Sequence, residues 1–204
     1  MPQTQETRLN GLTVAILVTD GFEQVELTGP KEALEQAGAS TRIISTKEGK
    51  VRGFNHDEKA DEFDVAMTFA NAVPADFDAL LLPGGVMNGD QLRMVPEARA
   101  FAQAMQEDGK PIAVICHGGW LLVSAGLVQG RTMTSWPSLQ DDIRNAGGDW
   151  VDQEVARDGN LISSRKPADI PAFSKALMQA LTLRVKDSAR GSADQQKGAM
   201  GVGG

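Results

Sequence analysis

One cysteine, two histidines and a few well-placed acids are the residues of this chain that could do covalent chemistry. Cys116 lies in KPIAVICHGGWLLV, residues 110–123. Residues 111–115 form an apolar, β-branched run of the kind a buried parallel strand needs. From Gly118 the spacing turns helical, with Leu121, Leu122 and Ala125 able to share one face. Cys116 therefore falls at a strand-to-helix turn, where serine sits in the nucleophile elbow of strand–turn–helix hydrolases. Small glycines let the backbone bend there, and the free N–H groups of a helix start favour a thiolate. A free cysteine is commonly just a small buried hydrophobe. The turn position, His117 and the Gly118-Gly119 pair weigh toward a nucleophile.

Two other loops follow strands and fall on the same edge of a parallel sheet, the edge where such folds place their sites. Asp20-Gly-Phe-Glu23 follows the first strand, and Gly84-Gly85 follows the strand at 77–83. Together with Cys116-His117 they bring a carboxyl group, a loop of backbone donors and a thiol to one place, the parts of covalent chemistry at a carbonyl. An ionised Glu23 beside the sulfur would disfavour the thiolate, whereas a protonated Glu23 would donate a hydrogen bond and favour it. Lowering a thiol pKa from about 8.5 to about 5.5 takes roughly 4 kcal/mol, within reach of one charge-assisted hydrogen bond and a helix terminus. Glu26, one turn on, competes for the same role, and a solvated acid at a helix start is the plain alternative for Glu23. The N–H groups of Gly84-Gly85 and His117 suit an oxyanion hole. His117 adjoins the nucleophile, but neighbours in a tight turn usually point apart, so its proton exchange with Cys116 is open. His56 reads as an exposed loop residue. These histidines and the cysteine have no metal-site spacing, and no histidine follows residue 117 to complete a Cys–His–Glu amidotransferase triad.

Strands and helices alternate around these loops. Strands are expected at 12–19, 41–45, 77–83 and 111–115, and helices at about 25–38, 97–108, 118–126, 138–146 and 168–182. Residues 47–73 read as a hairpin or irregular excursion, and Asp158-Gly-Asn160 as a hairpin turn. The alternation predicts an α/β domain with a mainly parallel, doubly wound sheet. One such domain is expected over 11–182, with a flexible N-terminus at 1–10 and a disordered, Gly-rich tail at 183–204.

The 204 residues are 41% hydrophobic, enough for one sizeable core. A net charge of −7 with no basic cluster argues against a nucleic-acid partner. One cysteine excludes an internal disulfide and suits a reducing compartment. No apolar run approaches the roughly 20 residues that span a membrane, and the polar opening residues lack a signal-peptide core, so a cytoplasmic location is expected. The dinucleotide fingerprint is absent after the first strand, and no cofactor is implied.

Six segments, GFEQVEL (21–27), ALLLPGG (79–85), KPIAVICHGGWLLVSAG (110–126), GRTMTS (130–135), NAGGDWVDQEV (145–155) and DGNLISSRKPAD (158–169), resemble in order the PfpI family of intracellular peptidase-like proteins. That family is a branch of the DJ/PfpI group in the class I glutamine amidotransferase-like superfamily. The resemblance implies a flavodoxin-like three-layer sandwich that assembles as a dimer or hexamer. It implies Cys116 as nucleophile, His117 as its neighbouring histidine and Glu23 as the glutamate that hydrogen-bonds the sulfur. Gly85 and His117 would be the backbone oxyanion donors. In peptidase-type members an acid from an adjacent subunit orients the histidine, and Asp90 is the nearest acid after the Pro-Gly-Gly loop here.

The expected activity is that of a stress-protective, cysteine-dependent enzyme acting on small reactive carbonyls or glycated proteins. An intracellular cysteine peptidase acting on peptides is the second reading, and a redox sensor working through oxidation of Cys116 the third.

Overall fold

The computed structural model describes residues 9–199, with side chains described to Arg184. The chain opens with β1 (Thr13–Leu17), β2 (Phe22–Glu23), α1 (Gln24–Gln36) and β3 (Ser40–Ser45). A hairpin of β4 (Lys50–Asn55) and β5 (Glu58–Asp64) follows, then β6 (Met67–Thr68) and β7 (Ala79–Leu82). Next come α2 (Val86–Arg93), α3 (Pro96–Glu107), β8 (Ile112–Ile115) and α4 (Gly119–Ser124). The last third holds β9 (Thr132–Met133), α5 (Gln140–Asn145), β10 (Asp149–Trp150), the hairpin β11 (Val155–Asp158) and β12 (Leu161–Ser164), and α6 (Ile170–Ala199).

Successive side chains of a strand point to opposite faces, and in β1 both faces are buried. Val14 and Ile16 pack with Leu27 and Leu34 of α1 and with Phe173 and Leu177 of α6. Ala15 and Leu17 belong to the other core, with Phe101 and Met105 of α3 and Leu121 of α4. The result is a three-layer α/β sandwich, and its continuous apolar strands are what a sheet covered on both faces requires. The seven-stranded sheet has the order β11-β12-β8-β7-β1-β3-β6, parallel except for the edge pair β11–β12. From β1 the chain passes to β3 on one side and later returns to β7 on the other. The sheet therefore has its topological switch point between β1 and β7, with β8 next in line. Glu23, Gly84-Gly85 and Cys116 follow these three strands, so the loops expected to meet do share one edge.

Three differences from the sequence reading have physical causes. Helix α2 begins directly at the Pro-Gly-Gly loop, in a stretch for which the sequence reading has no helix. Gly89 is there because a Cβ would lie 2.5 Å from the His117 carbonyl oxygen, so the helix seats on the elbow through it. At the C-terminus α6 runs on through 183–199, where a structureless tail was expected. Extending an established helix is far easier than starting one, and Ala, Arg, Lys and Gln in that stretch are good helix formers. Of the N-terminal segment expected to be flexible, residues 1–8 lie outside the described residues, as do 200–204 of the expected tail. Leu9 is buried, and its N–H donates to the Ala37 carbonyl at 2.7 Å. No helix among the described residues is long and apolar enough to cross a membrane.

Phe173 is among the largest fully buried side chains and ties α6 to the sheet. Phe173→Ala is expected to cost about 3–5 kcal/mol. Urea unfolding should show a lowered midpoint at an unchanged slope.

Candidate active site

The turn after β8 is held by backbone that only certain residues allow. Cys116 has φ 59°, a left-handed conformation unusual for a residue with a side chain. Residues 116–118 then form a single tight turn leading into α4. Gly118 permits that turn to lie against β7, since a Cβ would sit 2.6 Å from the Leu82 carbonyl oxygen. Cys116 opens into a cleft of about 790 Å³ lined by Glu23, Glu26, Gly85, His117, Trp120 and Trp136, with Phe54, His56, Asp57 and Asp90 around them.

The acid beside the sulfur is Glu26. It lies on the first turn of α1 and is 0% exposed. The Gly84 N–H donates to Glu26 Oε2 at 2.9 Å. A Cβ at Gly84 would come within 2.4 Å of Glu26 Oε2 and 2.6 Å of Cys116 Cβ. The carboxyl and the cysteine approach each other across the side chain that Gly84 lacks. Burial, aided by the charge of Glu23, raises the Glu26 pKa to about 8 against the bonds from Gly84 and Cys116. Its other oxygen, Oε1, is buried without a partner. A bare anionic oxygen there would be costly, whereas a protonated carboxyl is neutral and carries a donor.

Burial also pushes the Cys116 thiol up, and an ionised Glu26 pushes it further. The backbone N–H groups of His117 and Gly85 oppose this by donating to the sulfur. The two acids thus titrate as a pair: the first negative charge is much easier to place than the second. At neutral pH the carboxyl keeps its proton, and the repulsion from Glu26 is absent. The helix-start field expected to create a thiolate is outweighed in the resting site by desolvation.

Glu23, the residue first assigned to the sulfur, is placed elsewhere. It is the last residue of β2, which pairs with β4, and its carboxyl accepts the His56 N–H at 3.1 Å. The extended backbone ends at Glu23, so it is Glu26, inside the helix, that faces the core. The expected helix start, at about 25, lies within one residue of the observed one, so the exchange turns on which carboxyl α1 carries into the core.

His117 does reach the thiol. Its Nδ1 lies 3.2 Å from Cys116 Sγ, because the left-handed backbone of Cys116 turns the two side chains toward each other. The ring packs against Trp120 and Trp136, and Nε2 lies 3.4 Å from Ser138 Oγ. Trp120 is held in turn by its N–H to Asp142 Oδ2 at 2.9 Å and by the Arg93 guanidinium over its ring. Burial lowers the His117 pKa to about 4, so the imidazole is neutral at pH 7. Asp90 sits exposed on α2 at the rim of the cleft, and within this chain the partner of Nε2 is Ser138. Buried Asn88 locks the loops together: it accepts the Thr19 N–H and donates to the carbonyls of Pro83 and Gly84. Trp120, Trp136, Ser138 and Asn88 were not singled out from sequence. The Ser135-Trp-Pro-Ser138 stretch after a short strand was the available signal.

The sequence pattern of the DJ-1/PfpI family matches residues 12–180. The chain belongs to the DJ-1/PfpI family. A deglycase of Thermococcus kodakarensis is 39% identical over 170 residues, which are 83% of this chain and 99% of that protein. Deglycase PfpI of Pyrococcus furiosus is 38% identical over 171 residues, again 83% and 99%. YraA of Bacillus subtilis, whose name places it provisionally among the cysteine proteases, is 39% identical over 82% of this chain and 97% of its own. Among solved structures, a two-domain protein of Anabaena variabilis with DJ-1/ThiJ/PfpI-like and ferritin-like domains has a TM-score of 0.79 at 33% identity. That match covers 83% of this chain and 48% of the other. Drosophila melanogaster DJ-1beta, at 24% identity and a TM-score of 0.75, covers 89% and 97% and shares the fold. The DJ-1/PfpI sandwich is flavodoxin-like, in agreement with the topology here.

The buried carboxyl of this DJ-1/PfpI site leaves a signature in stability. Unfolded, Glu26 ionises near its ordinary value of 4.5; folded, it holds its proton up to about 8. Between those values the native state binds more protons, so stability falls as pH rises, by up to about 1.4 kcal/mol per pH unit. Below that window both states are protonated, and above it both are ionised. Glu26→Gln should flatten the fall, as read from urea midpoints across the same pH range.

Proposed function

We propose that the protein is a cysteine-dependent enzyme acting on reactive carbonyls, either free dicarbonyls of the methylglyoxal type or the adducts they form with amines. The observation that carries this is the buried pair Cys116–Glu26, with His117 Nδ1 on the sulfur and the whole group open to one cleft. The names of the deglycase relatives point the same way.

The sulfur adds to the aldehyde carbon of the substrate as its proton passes to His117 Nδ1. The C=O π-electrons move to oxygen, which takes up a proton to give a hemithioacetal. The N–H groups of His117 and Gly85, which already face the sulfur, serve as donors to the oxygen during attack. Glu26 or His117 then removes the proton from the sulfur-bearing carbon, and a proton returns at the neighbouring carbon. This yields a thioester of a 2-hydroxy acid. Water cleaves the C–S bond, releasing the acid and restoring the thiol. No electron acceptor is needed, because the aldehyde is oxidised as the neighbouring ketone is reduced.

A peptidase reading is favoured by the contact between His117 and Cys116 and by the name of the Bacillus relative. That reading also calls for an acid to hold the imidazole, and within this chain the partner of His117 Nε2 is the hydroxyl of Ser138. Conversion of methylglyoxal to lactate, followed as lactate in buffer free of amines and thiols, separates the two. Wild type should form lactate, Cys116→Ala none, and Glu26→Gln at least about 100-fold less, the usual worth of a positioned acid–base group. Wild type that forms no lactate but cleaves peptides would overturn the carbonyl reading.

A further inference from the structure

Both histidines of the chain line the cleft that holds Cys116. Among the described residues, the non-glycine positions with left-handed backbone are His56, at φ 60°, and Cys116, at φ 59°. A side chain kept in that region must be held there by its surroundings, and such positions gather at functional sites. At Cys116 the strain aims the nucleophile. At His56 it falls on the first of two turn residues between β4 and β5, a place where glycine is the unstrained choice. The hairpin itself has no need of an imidazole there.

Behind His56 stands Glu23. The parallel pairing of β2 with β4 sets Glu23 opposite Phe54, two residues from the turn. Its side chain is only 12% exposed, accepts the His56 backbone N–H, and places Oε2 3.7 Å from His56 Nδ1. The imidazole is 85% exposed. A carboxylate behind one ring nitrogen orients the ring and leaves the other nitrogen to exchange a proton with a ligand. The Glu23 N–H donates to the Gly84 carbonyl at 3.3 Å, so this pair is tied to the loop that touches Cys116. The acid that does not serve the sulfur thus serves the second histidine.

We infer that His56, oriented by Glu23, donates the proton to the nitrogen that departs when an amine adduct of a dicarbonyl is taken apart. The inference rests on the carbonyl reading above and assigns a residue to the turnover of the amine adducts. In an aminocarbinol one carbon carries both the hydroxyl and the nitrogen. The C–N bond breaks with its electron pair going to nitrogen, which takes a proton from His56. The carbinol O–H loses a proton as C=O re-forms, and one returns to His56, so no proton is consumed. The freed aldehyde then accepts Cys116 Sγ. A free dicarbonyl has no nitrogen to expel. An amine borne by a peptide or protein must stay at the mouth of the cleft, where the exposed imidazole is, while buried Cys116 meets the carbonyl end.

The test compares two substrates in one assay: free methylglyoxal, and the preformed aminocarbinol of methylglyoxal with Nα-acetyl-lysine. Lactate and released Nα-acetyl-lysine are followed, and the enzyme-free release of methylglyoxal is subtracted. His56→Gly suits the turn and should keep or raise the melting temperature. It should lower the ratio of adduct to free-methylglyoxal turnover at least tenfold, through kcat rather than KM. Glu23→Gln should lower the same ratio by a smaller factor. An unchanged ratio in a folded His56→Gly protein overturns the role of His56 and leaves the carbonyl reading standing. Wild type that uses free methylglyoxal but not the adduct overturns it equally. No lactate from either substrate removes the carbonyl reading, and this inference with it.

Discussion

Glu26 is a carboxyl group taken out of water, and much of the architecture around Cys116 follows from what that costs. A buried acid is tolerable when neutral and hydrogen-bonded, and it becomes expensive when charged. Here one oxygen has the Gly84 N–H and the other is buried without a partner. Gly84 must lack a side chain for the pair to meet, and Asn88 must hold the Gly84 carbonyl for the loop to stay put. The thiol is therefore kept in reserve rather than standing ionised. It becomes a nucleophile when a substrate lets its proton move to His117.

The sheet supplies the precision this needs. Cys116, Gly84 and the β2–α1 corner follow β8, β7 and β1, three adjacent parallel strands with matching register. The cores on the two faces press these strands from both sides, so the three loops start from a fixed frame. Only after that frame is set do the adaptable parts enter: the Trp120 and Trp136 walls, and the β4–β5 hairpin that leans in from outside the main sheet.

The parts legible in the sequence were those with strong periodicity or unusual chemistry. The buried strands, the elbow at Cys116, the loop at Gly84-Gly85 and the Asp158-Gly-Asn160 turn could all be read from residue type and spacing. The exchange of Glu23 for Glu26 could not, because both acids flank the helix start in sequence and only the packing of α1 decides which carboxyl enters the core. Helix α2 was hidden by Asn88 and Gly89, residues chosen for tertiary contacts at the expense of helix propensity. His117 and Cys116 were expected to diverge because an ordinary backbone would make them do so. His56 looked like any exposed loop histidine until the hairpin was seen to fold over the cleft.

The two ends of the seven-stranded sheet are unlike its middle. One is β6, only two residues long, and the other is β11, four residues long and paired antiparallel to its neighbour. A sheet grows by recruiting another chain along an unpaired ladder, and ladders this short give a newcomer little to grip. The most apolar strands of the molecule, β1, β7 and β8, are enclosed by other strands on either side. A second copy would find little to pair with at either end of this sheet, and the tendency of buried, valine- and leucine-rich segments to stack into fibrils is contained as long as the sheet stays whole.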